Sequence, residues 1–252
     1  MGAIYDISGN AIYQGNAIGE NFSIGSDFIR RPIELKPLGS VKYSQSFCKY
    51  DGKYYCTDGS HIAEYSSSFA LLRDVSVNVG HGNAMQLGSN GVAYVSGWND
   101  QKIYAVNLET LTVTSTITLP TTGYTTCAVD DVAQIAYIWQ RDSQPNTNVR
   151  YNYIVYDYGN SQTLYTAVTS VAFGAMQAVD MYMDLIIVLN GLGGTNGVYN
   201  GYRVYDKKGN VLSEYVIDSQ KTNEPEGIFV DRDTGELFIC FVDKIIYQIV
   251  QN

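Results

Sequence analysis

The stretch GIFVDRDTGELFICF at residues 227–241 contains two short apolar segments separated by a polar turn, and the chain repeats this order four more times. The turns align on Asp51, Ser89, Asp130, Asp180 and Asp231, at steps of 38, 41, 50 and 51 residues. The spacing is typical of the blades of a β-propeller, which are about 40–50 residues long. The other copies are SFCKYDGKYYCTDG (46–59), AMQLGSNGVAYVSGW (84–98), TCAVDDVAQIAYIWQ (126–140) and MQAVDMYMDLIIVLN (176–190).

A third apolar strand follows each copy, and a fourth follows the first four copies. Strands and polar turns alternate throughout with no helical period, which predicts an all-β fold. The predicted third strands are HIAEY (61–65), KIYAVN (102–107), YNYIVYD (151–157), GYRVYD (201–206) and KIIYQIV (244–250). The predicted fourth strands are LLRDVSVNV (71–79), TVTSTITLP (112–120), TLYTAVTSV (163–171) and VLSEYVID (211–218).

The fifth unit lacks a fourth strand before the sequence ends, whereas FIRRPIELKP (28–37) precedes the first unit, where every other unit is preceded by a fourth strand. An open ring would leave two unpaired sheet edges. We therefore predict a five-bladed β-propeller over residues 28–252, with four-stranded blades. Residues about 30–36 would close the last blade by pairing with its third strand, and Pro32 suits such an edge position. The alternative is an open two-sheet sandwich.

Residues 1–27 lie outside the repeat and form a predicted N-terminal extension, an anchor or partner-binding segment. Its start, IYDISGNAIYQG, fits a small hairpin around Ser8-Gly9-Asn10. The N-terminal residues do not show the basic start and following apolar run of a secretory signal, so we predict none. The sequence contains no run of 18 apolar residues of the kind that spans a membrane, so we expect no membrane insertion.

The net charge of the chain limits its possible partners, and the positions of its cysteines indicate whether they form disulfides. The net charge is −9 and charged residues make up only 16% of the chain. An acidic surface repels phosphate backbones, so we expect no nucleic-acid partner. The four cysteines, Cys48, Cys56, Cys127 and Cys240, are predicted to be free buried thiols, because a two-residue turn at Asp51-Gly52 places Cys48 opposite Tyr55 rather than Cys56.

The candidate site is the rim where second strands end and first strands begin, because its loops are long and irregular. Trp98 and Trp139 are predicted at matching positions there, where two indoles could stack on sugar rings or, alternatively, pack between blades. Hydrogen-bonding candidates beside them are Asn99, Asp100, Gln140, Arg141 and Asn190.

The entry loops to the first strands add further candidates. In GHGN (80–83), His81 and Asn83 are possible ligand contacts, although a loop histidine is also commonly bonded to backbone. Glu224 and Glu226 bracket Pro225 in NEPEG (223–227) and, with Asp100 and Asp142, supply carboxylates that a glycoside hydrolase would need. No catalytic residue, metal site or cofactor is assigned, and DRDTGE (231–236) is interpreted as a turn rather than a calcium loop.

Two segments, EGIFVDRDTGELFI (226–239) and KIYAVNLETLTV (102–113), resemble NHL- and YVTN-type propeller repeats, a likeness that extends over most of residues 40–250. This resemblance implies a fold rather than a function. The arrangement also resembles propeller modules of tailed-phage and prophage virion proteins, from tails or fibres, through its YDISGN segment (5–10), its GHGNAM segment (80–85) and the missing secretion signal.

The second resemblance implies a virion protein that is assembled in the bacterial cytoplasm. Residues 1–27 would contact other virion proteins, and the loop-rich rim would face outward. We therefore expect a non-catalytic virion structural or receptor-binding propeller that binds a bacterial surface glycan or protein. Two alternatives stay open, a stand-alone carbohydrate-binding lectin and a carbohydrate-active hydrolase that uses the rim carboxylates.

Overall fold

The described part of the chain is built mainly from β-strands, which follow the predicted order. A computed structural model describes residues 3–5, 11–14, 31–141, 151–169, 175–193, 199–217 and 222–250. The whole loop at 142–150, which includes Asp142, and the Ser8-Gly9-Asn10 turn therefore lie outside the described residues. None of the described residues belongs to a helix with the length and apolar character needed to cross a membrane.

Three units each form a separate four-stranded antiparallel sheet. The first contains β4 (Ser46–Tyr50), β5 (Lys53–Thr57), β6 (His61–Tyr65) and β7 (Leu71–Ser76). The second contains β8 (Ala84–Leu87), β9 (Val92–Ser96), β10 (Lys102–Asn107) and β11 (Thr112–Thr118), with a 3-10 turn at Ser89–Gly91. The third contains β12 (Tyr124–Asp130), β13 (Ile135–Arg141), β14 (Asn152–Asp157) and β15 (Gln162–Val168).

The remaining strands join into one eight-stranded sheet, apart from a hairpin of β1 (Ala3–Tyr5) and β2 (Ala11–Gln14). The sheet order is β16-β17-β18-β19-β3-β22-β21-β20. Its strands are β3 (Arg31–Ser40), β16 (Met176–Tyr182), β17 (Leu185–Asn190), β18 (Gly201–Asp206), β19 (Val211–Ile217), β20 (Pro225–Val230), β21 (Leu237–Phe241) and β22 (Ile245–Val250).

The first strand of every unit lies at the centre of the molecule. β4, β8, β12, β16 and β20 contact one another in chain order, and β20 contacts β4. β8 also contacts β16 and β20, so the ring of first strands is narrow. This convergence of sheets on a common centre makes the fold β-propeller-like.

β3 pairs with strands on both of its sides. Residues 34–40 pair antiparallel with 245–250 of β22, and Leu35 lies opposite Ile249. Residues 31–33 instead pair in parallel with 215–217 of β19. Pairing with β22 therefore extends over residues 34–40 rather than over the predicted range of about 30–36. Ile33 lies just before this ladder, where it is 1% exposed and packs in a cluster with Ile217 and Ile249.

The turns and thiols follow the sequence closely. Side-chain oxygens of Asn107, Asp157, Asp206 and Asp231 accept hydrogen bonds from backbone N–H groups two to four residues further on. Such Asx turns explain why these residues separate the strands. DRDTGE (231–236) forms a turn of this kind, in which the Asp231 side chain accepts backbone hydrogen bonds. Cys48 lies opposite Tyr55, as predicted. All four cysteines are free and buried.

Candidate functional site

The two ends of the central strands differ in chemistry. We call the end where first strands begin and second strands end the entry face, and the opposite end, with the turns between first and second strands, the turn face. Polar side chains bridge neighbouring units on the turn face. Arg232 binds the fully buried Asp180 at 2.6 Å, and Lys49 binds Asp231 at 2.6 Å. Gln86 exchanges two hydrogen bonds with the backbone of Val129.

The entry face, in contrast, holds buried polar atoms that have no hydrogen-bond partner among the described residues. Within the described ranges, most of the buried side-chain nitrogens and oxygens that lack a hydrogen bond lie there. A buried polar group without a partner costs free energy, so a cluster of them needs an explanation such as a bound molecule. The groups include Asn83 Nδ2, Asp100 Oδ1, Thr121 Oγ1, Thr126 Oγ1, Asn190 Oδ1 and the three guanidinium nitrogens of Arg141.

Two β-bulges lie on this face, in adjacent units. In β20, Pro225 is opposite Phe241 and Gly227 is opposite Cys240, so Glu226 is the extra residue. The register of β16 shifts in the same way between Met176 and Val179, around Gln177. Bulges redirect side chains and are frequent beside functional sites. The third unit has an unbroken register between β12 and β13.

The bulges bring two carboxyl groups together with two amides. Gln177 Nε2 donates to Glu224 Oε1 at 2.6 Å, and Gln45 Nε2 donates to Glu226 Oε2 at 2.9 Å. Burial and the neighbouring Glu224 carboxylate raise the pKa of Glu226 to about 8. Burial also raises the pKa of Glu224. One side chain of this pair is therefore largely protonated at neutral pH, where an ordinary glutamate is charged.

Arg141 ends β13 inside a group of aromatic rings. Its guanidinium carbon lies 5.2 Å from the ring centroid of Trp98, 5.5 Å from Tyr124 and 5.7 Å from Tyr151. The residue is only 5% exposed, and burial lowers the pKa of its guanidinium. Cation–π contacts stabilise the charge in part, but they satisfy none of the N–H donors in their plane.

The two indoles do not occupy matching positions, which corrects the prediction. Trp139 lies inside β13 and is 0% exposed. Its ring packs against Tyr153 at 4.8 Å and Tyr205 at 5.5 Å, so it offers no free face to a sugar. Trp98 follows β9, is half-buried and packs 5.3 Å from Tyr124 of the next unit. The register explains the difference, because Trp139 pairs with Thr126 inside the β12–β13 ladder, whereas Trp98 lies beyond Ser96, where the β8–β9 ladder ends.

The second unit's candidates are divided between surface and interior. His81 and Asn99 are exposed, and partial desolvation lowers the pKa of the His81 imidazole below its ordinary value. Asn83 is buried beside β8, and Asp100 accepts a hydrogen bond from Tyr104 at 2.5 Å. Asn83 and Asp100 therefore remain site candidates on the entry face, while Asn99 lies outside the buried polar cluster.

Two other candidates have structural bonds. Gln140 Nε2 donates to the Thr122 carbonyl at 2.9 Å, which fixes the preceding loop. Asn190 Nδ2 donates to the Tyr199 carbonyl at 2.7 Å, while its Oδ1 has no partner among the described residues.

Gln45 and Gln177 were not predicted as site residues. For Gln177 the available signal was a polar residue at the second position of β16, where β4 and β8 have Phe47 and Met85; Gln45 lies just before β4 and had no such signal.

Comparisons with known proteins support the fold alone. No family model matches the chain, and no characterised protein matches it in sequence. The crystal structure of glutaminyl cyclase from Myxococcus xanthus is similar, with a TM-score of 0.61, 8% sequence identity and coverage of 87% of this chain and 97% of that chain. At 8% identity the likeness concerns the all-β, propeller-like architecture and not the activity.

Proposed function

We propose that this protein is a non-catalytic recognition module that binds a polar, hydroxyl-rich ligand, such as a cell-surface glycan, at its entry face. The unpartnered buried polar groups of that face are the observation that carries the proposal. Ligand hydroxyls both donate and accept hydrogen bonds, so they can satisfy amide, hydroxyl and guanidinium groups together. The turn face offers no comparable set among the described residues, because its charges are already paired.

We also propose that the fold is a five-bladed β-propeller over residues 28–252. Two features support dividing the eight-stranded sheet into two blades at β3. The parallel contact between β3 and β19 involves only three residue pairs, whereas the ladder with β22 runs through 34–40. The five first strands also contact one another as a ring. In this arrangement β3 is the fourth strand of the last blade.

Thr126→Val provides a direct test of ligand binding. Thr126 is 0% exposed and its Oγ1 has no partner among the described residues, so valine keeps its shape and removes only the hydroxyl. We expect the variant to fold and to bind a glycan found on an array about tenfold more weakly, the loss of one good hydrogen bond.

Ser213→Ala is the matched control, because Ser213 Oγ is likewise buried and unpartnered but lies in β19, away from the entry face. Isothermal titration calorimetry should give the same affinity for this variant as for the unchanged protein. Equal weakening in both variants, or no glycan bound by the unchanged protein, would contradict the proposal.

Glycoside hydrolysis is a second candidate function, favoured by the Glu224–Glu226 pair. A carboxyl group with a pKa of about 8 can donate a proton at neutral pH, and its neighbour can act as nucleophile or base. A panel of aryl glycosides tests this candidate. Turnover that Glu226→Gln abolishes would support it, and absence of turnover across the panel would leave only the binding function.

We further propose that the module belongs to a phage-type virion, where residues 1–27 contact other virion proteins. The support is the resemblance of YDISGN (5–10) and GHGNAM (80–85) to virion propellers and the β1–β2 hairpin, which lies outside the repeated units. Co-purification of the full chain with virion proteins, lost when residues 1–27 are removed, is the expected result.

A further inference from the structure

Two buried residues of the entry face, Arg141 of the third unit and Asn190 of the fourth, have polar atoms without a hydrogen-bond partner among the described residues. Tyr137, Trp139 and Arg141 alternate along β13, and Tyr137 and Trp139 pack against the fourth unit, while the Arg141 guanidinium also lies beside Trp98 of the second unit. By the same alternation along β17, Asn190 points to the side of Ile186 and Val188, which belong to that packed cluster.

These two residues need opposite hydrogen-bonding partners. The three Arg141 nitrogens require acceptors, and a buried guanidinium gains most from an anionic acceptor because the local dielectric constant is low. Asn190 Oδ1 requires a donor. A molecule that carries both an anionic oxygen pair and a hydroxyl group would satisfy both residues, and sugar acids are such molecules.

The anion is better matched by a carboxylate than by a phosphate. A planar carboxylate accepts two parallel hydrogen bonds from a guanidinium and brings a single negative charge. The protein has a net charge of −9, and Glu224 and Glu226 lie on the same face, so a doubly charged phosphate is repelled more strongly.

We infer that Arg141 binds the carboxylate of an acidic sugar, with Asn190 Oδ1 accepting a hydrogen bond from one of its hydroxyl groups. This inference rests on the proposed glycan-binding function and specifies its ligand class. Because the guanidinium is buried, entry requires a local movement. The half-buried Trp98 and Tyr124, whose rings lie beside the Arg141 guanidinium, are the side chains that we expect to shift.

Trp98 also supplies the readout, since its environment changes when an anion reaches Arg141. The probes are D-glucuronate, D-glucose and inorganic phosphate, titrated against the full chain while tryptophan emission and the melting temperature are recorded. We expect a saturable emission change and a higher melting temperature with glucuronate, and neither effect with glucose at the same concentration. A response to phosphate that equals or exceeds the response to glucuronate would overturn the carboxylate assignment.

Two substitutions at Arg141 separate charge from shape. Arg141→Lys keeps the charge but loses the planar fork, so we expect at least a tenfold weaker response to glucuronate. Arg141→Met removes a buried unpaired charge, so we expect no response and a melting temperature without ligand at least as high as that of the unchanged protein. If the Met variant fails to fold, the Lys variant decides the question.

Lys102→Met is the matched control, because it removes one positive charge from an exposed residue on the same face and should respond like the unchanged protein. Unaltered glucuronate affinity in both Arg141 variants, or no response of the unchanged protein to any anion, would overturn the inference. Glycan binding that depends on Thr126 but not on Arg141 would leave the proposed function intact and refute only this inference. If the unchanged protein bound no glycan on the array but bound glucuronate through Arg141, the proposed glycan-binding function would be refuted and the carboxylate site at Arg141 would stand.

Discussion

At the scale of single residues, Glu226 shows how one extra position in a strand changes chemistry. As the bulged residue of β20 it has no cross-strand partner, and its carboxyl group is directed toward Gln45 of the first unit. The same displacement leaves it near Glu224, and two carboxylates this close are not both ionised at low cost.

Stability should therefore fall as pH rises through the titration of Glu226. The folded protein holds this proton up to a pKa of about 8, whereas the unfolded chain loses it near the ordinary value of about 4.5. The stabilising effect of protonation is complete below pH 4.5 and is lost between about pH 4.5 and 8. Glu226→Gln should flatten this part of the pH profile and raise stability at pH 8.5 by roughly 2–4 kcal/mol.

Urea denaturation at pH 5.5 and 8.5 measures the effect. Glu109→Gln, at an exposed residue of the second unit, should keep the pH dependence of the unchanged protein. Identical pH profiles for Glu226→Gln and the unchanged protein would show that the Glu226 carboxyl is solvated.

Asp180 is the turn-face counterpart of these residues. Its carboxylate is 0% exposed and accepts hydrogen bonds from the Val230 N–H at 2.7 Å and from Arg232 at 2.6 Å. Asp180→Ala should cost about 3–5 kcal/mol, because it leaves a backbone donor and a guanidinium without their acceptor. Asp184→Ala, at a mostly exposed residue on the same face, should cost less than about 1 kcal/mol by the same denaturation assay.

At the scale of elements, strand order was predictable and strand interruptions were not. The predicted third strands at 61–65, 102–107 and 201–206 coincide with β6, β10 and β18, since alternating apolar residues fix them locally. The start of β20 was placed at Gly227 rather than Pro225, because a bulge has no sequence period. The aromatic group around Arg141 was also unpredictable, since its three rings come from separate parts of the chain: Tyr124 begins β12, whereas Trp98 and Tyr151 lie between strands.

Ile33 provides a test of β3, the element that joins both ends of the sheet. Its side chain is 1% exposed and packs with Ile217 and Ile249. Ile33→Ala should destabilise the protein by about 2–4 kcal/mol. Lys36→Ala, at an exposed position of the same strand, should change stability by less than about 0.5 kcal/mol in the same denaturation series. Equal values for the two variants would mean that β3 contributes no core packing.

At the scale of the whole molecule, the core consists of small clusters between sheets rather than one central mass. All four thiols lie in these clusters, and burial raises the pKa of each of them. The native protein should therefore react with no equivalent of iodoacetamide at pH 8 over several hours, and with four equivalents in 6 M guanidinium chloride. Mass spectrometry counts the adducts, and rapid native labelling would show that the units open separately.

The placement of β3 near one end of the sequence and β22 near the other has a consequence for biosynthesis. Ser40 pairs with Ile245, 205 residues later, so at about 5–20 residues per second the ribosome needs roughly 10 to 40 s to deliver the partner. During that interval the nascent strand is an uncovered edge, able to accept a finished neighbour's final segment. We therefore expect densely loaded polysomes to yield more strand-exchanged dimers, and slower initiation of translation to yield more monomers.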